Sequence, residues 1–182
     1  MSDLWDGFAK TLKKQGLTVK KVGGWKGRSA GSFAPRGVLI HHTASPRTSG
    51  DLPCAGICTN GRADLPGPLC NILIGRSGTV LLVAAGRANH AGEGGPYASI
   101  PRDQGNAYLV GIECENDGIG ELWPDKQRKA MGIVSAVLLK RMNQPARMCF
   151  AHREWTTRKP DPRGIDMDNF RERVQKELRG LR

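Results

Sequence analysis

The chain has 182 residues, enough for one domain with a sizeable core, and its 24 glycines with only 38% hydrophobic residues argue for a loop-rich fold over a helical bundle. Its formal charge of +11 favours polyanionic partners, but the basic residues are dispersed and aromatics make up 5%, which excludes the clustered footprint of a nucleic-acid-binding protein. No stretch approaches the roughly 20 apolar residues of a membrane span, and Met1-Ser2-Asp3-Leu4-Trp5-Asp6 lacks the basic and apolar regions of a secretory signal, so cytoplasmic synthesis is expected.

Leu4, Trp5, Phe8 and Leu12 recur at helical spacing and predict a helix over residues 3–15, stopped by Gly16. Residues 17–22 alternate like an edge strand. Residues 1–24 thus read as an N-terminal helix/strand extension, and 25–182 as the main domain, the whole being one compact unit. A Gly/Ser-rich loop over 23–33 leads to an apolar strand over 36–42 that ends in His41-His42. Residues 45–69 show no apolar period and read as a long loop, of a length that usually carries function. Residues 70–74 and 79–84 flank Gly75-Arg76-Ser77-Gly78 as a hairpin. Tyr108 to Glu115 is a further strand, apolar until it reaches Glu113 and Glu115. Pro124 opens a helix to about Met142 with Met131, Val134, Val137 and Leu138 on one face. Met148 to Ala151 is a short strand delivering His152, and Met167, Phe170, Val174 and Leu178 mark a last helix closed by Gly180. Strands and helices in this uneven order predict an α/β (mixed α+β) fold, a central mixed sheet flanked by helices.

One pattern carries chemistry. A histidine closes a buried strand, His152 stands far downstream, and Asp161 follows within Arg158-Lys159-Pro160-Asp161-Pro162. Two histidines and a carboxylate form the three-ligand set of a catalytic zinc, which keeps its fourth position for water. Because neighbouring strand residues point to opposite faces, only one of His41 and His42 can face the metal. The five cysteines are an odd count and read as small buried thiols, with a Cys54–Cys58 disulfide as the alternative. Glu115 reads as a solvated carboxylate facing away from Glu113.

Together, Val38 to Ala44, Leu73 to Val80, Gly86 to Gly92, Val110 to Glu113 and Ala151 to Pro162 resemble the type 2 N-acetylmuramoyl-L-alanine amidases, a superfamily of phage endolysins, cell-wall recycling amidases and peptidoglycan-recognition proteins. Asp64 to Asn71 further resembles endolysins of phages that infect actinobacteria. The resemblance implies a sheet with a zinc groove on one face and a Zn2+ held by His41, His152 and Asp161. It implies Glu113 as acid/base and Lys159 as oxyanion stabiliser, with His90 and Asn71 as substrate-binding residues. Some family members place a catalytic tyrosine where this chain has Cys70, so the acid/base role falls to Glu113. The interval from His152 to Asp161 is one residue shorter than in the recycling amidases.

The implied activity is hydrolysis of the amide between N-acetylmuramic acid and L-alanine of the stem peptide. The implied enzyme is a monomer made in a host cytoplasm and acting on the cell wall, with peptidoglycan as partner, anionic wall polymers as further partners, and no nucleic acid. The competing expectation is a peptidoglycan-binding module without turnover. No separate wall-binding domain is expected after the last helix, so either the basic surface or residues 1–24 would supply targeting, or the chain is one module of a longer protein.

Overall fold

The computed structural model describes residues 2–181, with side chains from residue 4 onward. In chain order the elements are helices α1 (Ser2–Trp5) and α2 (Phe8–Lys14), strands β1 (Val19–Lys21) and β2 (Gly37–Ile40), helix α3 (Ala55–Asn60), and the two-residue strands β3 (Gly61–Arg62) and β4 (Leu65–Pro66). There follow the hairpin β5 (Ile72–Ile74) and β6 (Val80–Leu82), helix α4 (Gly105–Tyr108), strand β7 (Leu109–Cys114), helix α5 (Asp125–Arg141), strand β8 (Cys149–Ala151), and helices α6 (His152–Trp155) and α7 (Met167–Gly180). The main sheet has the order β1-β6-β5-β7-β2-β8. Only the β5–β6 hairpin is antiparallel, so the sheet is mixed, as the sequence predicts.

Why these residues build this sheet follows from the apolar runs. Ile40, Ile72, Ile74, Leu82 and Ile112 are fully buried and join one core with Met131, Val134 and Leu138 of α5 and Phe170 and Val174 of α7. Fully burying each such side chain is worth about 1.5–3 kcal/mol. Helix α5 is buried continuously from Ala130 to Leu139, beyond the single apolar face read from its sequence, because it packs against both the sheet and α7. Helix α7 is capped by Asp166, whose carboxylate accepts the backbone N–H groups of Asp168 and Asn169 at 3.0 and 2.9 Å. It includes Gly180, the residue expected to close it, and has Leu181 as its C-cap. Leu73, Leu81 and Val83 alternate to the other side of the sheet, where they meet Cys58 and Cys70 in a smaller cluster.

The expected first helix is two helices, broken at Gly7, whose φ of 63° lies in the left-handed region. Phe8 and Leu12 are fully buried in the main core, and Trp5 donates its indole N–H to the Ala85 carbonyl at 2.7 Å. Strand β1 forms the sheet edge beside β6. Residues 45–69 are not featureless: they hold a 3-10 turn, the six-residue α3 and the β3–β4 ribbon. Elements this short present no full period of apolar residues, so periodicity could not reveal them; the single-turn helices α4 and α6 escaped for the same reason. All five cysteines are free thiols, four of them buried, and Cys54 is partly exposed. No helix among the described residues is long and apolar enough to cross a membrane.

Candidate metal centre

The site follows from strand register. Strands β7, β2 and β8 run parallel, with Ile40 opposite both Ile112 and Ala151. One residue further along each strand stand Glu113, His41 and His152, so the three chemically active side chains leave the sheet side by side at its carboxyl edge. Such an edge of parallel strands is where open α/β sheets place their ligand crevices. Asp161 comes back to this row because its backbone carbonyl accepts the Arg153 N–H at 2.9 Å, closing the intervening loop.

His41, His152 and Asp161 are all buried and offer three donor atoms to one point. His41 Nδ1 lies 3.0 Å from His152 Nδ1 and 3.1 Å from Asp161 Oδ2, and the third edge is 3.0 Å. Protonation can be assigned by elimination. His152 Nε2 faces the Ala91 carbonyl at 3.1 Å, and a carbonyl only accepts, so Nε2 carries the proton and Nδ1 a lone pair. His90 Nε2 faces the Leu109 carbonyl at 3.1 Å and carries its proton there, which leaves His90 Nδ1 to accept from His41 Nε2 at 3.0 Å. His41 Nδ1 is therefore a lone pair as well.

Three electron-rich atoms 3 Å apart repel unless a cation sits among them. A proton is a poor candidate: burial, then the neighbouring His152, push His41 down to about 4, well below neutral pH. A metal ion fits, since donors about 2.0–2.1 Å from a tetrahedral zinc lie roughly 3.3 Å apart. Two imidazoles with a carboxylate are also the donor set that zinc accepts.

Glu113 lines the groove of about 530 Å³ that opens over this triangle. Its Oε2 is buried without a hydrogen-bond partner. Burial first, then the carboxylates of Asp161 and Glu115, raise it to about 8, against the opposing pull of Lys159. Lys159 is exposed and lines the same groove. Glu115 corrects the expectation of a solvated carboxylate facing away from Glu113. An interval of two residues does not send side chains to opposite faces of a strand. Glu115 is fully buried and accepts from Thr43 Oγ1 at 2.8 Å, Ser45 Oγ at 2.5 Å and the Cys54 N–H at 2.8 Å.

His42 also lines the groove but stands outside the triangle; its Nδ1 accepts the Arg163 N–H at 3.1 Å, and burial lowers its basicity. His90 reaches the groove, but its ring engages His41, and burial followed by His41 hold its basicity well below normal. A Cβ on Gly111 would lie 2.6 Å from the His90 ring, so this ring position requires glycine there. Asn71 lies apart from the groove: it is buried, donates to the Ala84 and Gly86 carbonyls at 3.0 and 2.7 Å, and accepts the Gly111 N–H at 2.9 Å. Its amide ties β5 to β7 and to the segment after β6. Asn106, which also lines the groove, gave no signal in sequence. A lone asparagine before a strand has no pattern to betray it.

Several solved structures share this fold. The catalytic domain of XlyA superposes with a TM-score of 0.65 at 18% identity, covering 87% of this chain and 99% of its own. The endolysin LysCS, an N-acetylmuramoyl-L-alanine amidase from Clostridium intestinale URNW, gives 0.62 at 17% identity over 86% of this chain and 95% of its own. AmpD gives 0.66 at 20% identity over 86% of this chain and 94% of its own. No curated protein matches the sequence. Residues 31–164, which contain the whole His41–His152–Asp161 triangle and Glu113, match the N-acetylmuramoyl-L-alanine amidase family, and the chain belongs to that family.

Proposed function

We propose that this protein is a zinc-dependent amidase of phage-endolysin type, cleaving the bond between N-acetylmuramic acid and L-alanine in peptidoglycan. Membership of the amidase family gives the peptidoglycan amidase activity. The observation that carries the zinc reading is the convergence of three unprotonated donors beside Glu113, whose buried Oε2 has no hydrogen-bond partner.

His41, His152 and Asp161 would hold the ion. When bound, zinc would polarise the scissile carbonyl and make a neighbouring water more acidic. Glu113, with no competing hydrogen bond on Oε2, takes the proton from the attacking water and returns it to the departing alanine nitrogen. Lys159 presents a cation at the groove, where it offsets the negative charge that builds on the carbonyl oxygen. His90 holds the His41 ring, and Asn71 acts through the backbone instead of touching substrate.

Residues 1–30 lie outside the family match, yet carry Lys10, Lys13, Lys14 and Lys21 around one shallow surface. We assign to this face the attraction to anionic wall polymers, with residues 1–24 an integrated extension of a monomeric enzyme that reaches the wall from the host cytoplasm. Among the described residues none of these four lysines enters an ion pair, which leaves their charge available.

The test is zinc content measured with release of new amino termini from purified peptidoglycan, for wild type and Asp161→Ala. The expected outcome is about one zinc per chain and new L-alanine amino termini in wild type, and neither in the variant. Zinc at full occupancy with no bond cleaved would replace this reading by that of a peptidoglycan-binding module; absence of zinc in wild type would refute the metal centre.

A further inference from the structure

Neither ligand histidine holds its own tautomer; both depend on two consecutive residues, His90 and Ala91. The His90 ring accepts the His41 Nε2–H, and the Ala91 carbonyl accepts the His152 Nε2–H. Those two residues lie in a segment without helix or strand, so something must hold it. The holder is a single atom. Asn106 Oδ1, on α4, accepts the backbone N–H of His90 at 2.9 Å and that of Ala91 at 2.7 Å. From α4 the chain enters β7 directly, so this oxygen is fixed to the same strand that delivers Glu113. The Leu109 carbonyl at the start of β7 completes the arrangement by fixing the His90 ring.

We propose that Asn106 is a positioning residue of the metal centre. By clamping His90 and Ala91 it fixes the Nε2–H tautomers of His41 and His152 together and keeps both Nδ1 lone pairs aimed at the cation. The proposal rests on the metal-centre reading above. Asn106 touches neither the triangle nor, in this role, the reacting atoms. Partners that orient ligating histidines are typically worth 10–100-fold in metal affinity. Here one side chain serves two histidines, through an imidazole on one arm and a carbonyl on the other.

The experiment compares wild type, Asn106→Ala, Asn106→Asp and His90→Phe by two readouts. The first is zinc affinity by competition with a chromophoric chelator. The second is the tautomeric state of the histidines in the zinc-free protein, read from imidazole nitrogen shifts by NMR. Wild type should show Nε2–H at His41, His90 and His152. Asn106→Ala should bind zinc about 10–100-fold more weakly, with mixed tautomers at both His41 and His152. Asn106→Asp keeps an acceptor for both N–H groups and should return affinity to within a few-fold of wild type. His90→Phe cuts one arm only, so it should release His41 and leave His152 unchanged, which keeps the proposal testable if Asn106→Ala fails to fold. Unchanged zinc affinity and unchanged tautomers in Asn106→Ala would overturn the proposal, as would release of both histidines by His90→Phe. A wild type that binds no zinc sinks the metal-centre reading instead, while the tautomers of the zinc-free variants still decide the role of Asn106.

Discussion

Glu113 and Glu115 are two residues apart, Glu115 fully buried and Glu113 half-buried with its Oε2 enclosed, yet their surroundings are opposite. Around Glu115 every feature is balanced: two hydroxyls and a backbone N–H meet its oxygens. Through Thr43, Ser45 and Cys54 it binds the loop after β2 to the end of β7. Around Glu113 nothing is balanced. Its Oε2 has no donor, and the neighbouring triangle is three acceptors without a hydrogen. Buried polar groups that are satisfied build the fold, and those left unsatisfied mark where a ligand, a metal or a proton belongs.

The most direct way to break this contrast is Glu113→Gln. If Glu113 is the proton carrier, kcat on peptidoglycan should fall about 10²–10⁴-fold with zinc content unchanged. An equal loss of zinc would instead make it part of the metal centre.

The same variant should sharpen the contrast in stability. With a folded value of about 8 against the ordinary 4.5, Glu113 keeps its proton in the zinc-free fold after the unfolded chain has lost it. Its contribution to stability is therefore complete below about 4.5 and is lost as pH rises through about 8. Replacing it with neutral glutamine removes that loss, so zinc-free Glu113→Gln should gain on wild type by a few kcal/mol between pH 5 and pH 8. Parallel thermal melts at the two pH values measure the gap, and a gap that does not widen would mean the carboxyl is not held neutral.

Glu115→Ala should do the reverse. It strands two hydroxyls and a backbone N–H in the interior, at a cost of about 2–4 kcal/mol. That corresponds to a fall in Tm of about 5–15 °C for a chain of this length. Zinc should still bind to the folded protein at the wild-type ratio, which calorimetry and metal analysis check together.

The smallest effect is expected farthest from the site. Changing Lys10, Lys13, Lys14 and Lys21 to serine should weaken binding to anionic wall fragments and flatten its dependence on salt. Turnover of a short, uncharged muramoyl-peptide should stay within about twofold, since exposed charges away from a site seldom matter more. A loss of turnover equal to the loss of wall binding would tie this face to the groove.

Much of the site was legible before folding. His41, His152 and Asp161 could be paired because two imidazoles and a carboxylate are a donor set with a known chemical use, and the apolar runs before each histidine announced strands that would bury them. The central sheet and helices α5 and α7 were legible for a similar reason: apolar residues repeating over several turns leave a period that sequence displays. What stayed hidden depends on partners distant in sequence. Glu115 looks like any acidic residue after a strand until Thr43 and Ser45, some 70 residues away, arrive to bury it.

Asn71 shows the limit from the other side. Nothing local distinguishes an amide that binds substrate from one that binds strands, and only the closeness of Ala84, Gly86 and Gly111 makes it the latter. The sequence by itself determined which chemistries this protein carries, because residue type sets what an atom can donate, accept or ligate. Tertiary structure alone decided which of those atoms are satisfied, because hydrogen bonds form through space: the parallel register of β7, β2 and β8 gathers Glu113, His41 and His152, and one oxygen of Asn106 orients what the register brings together.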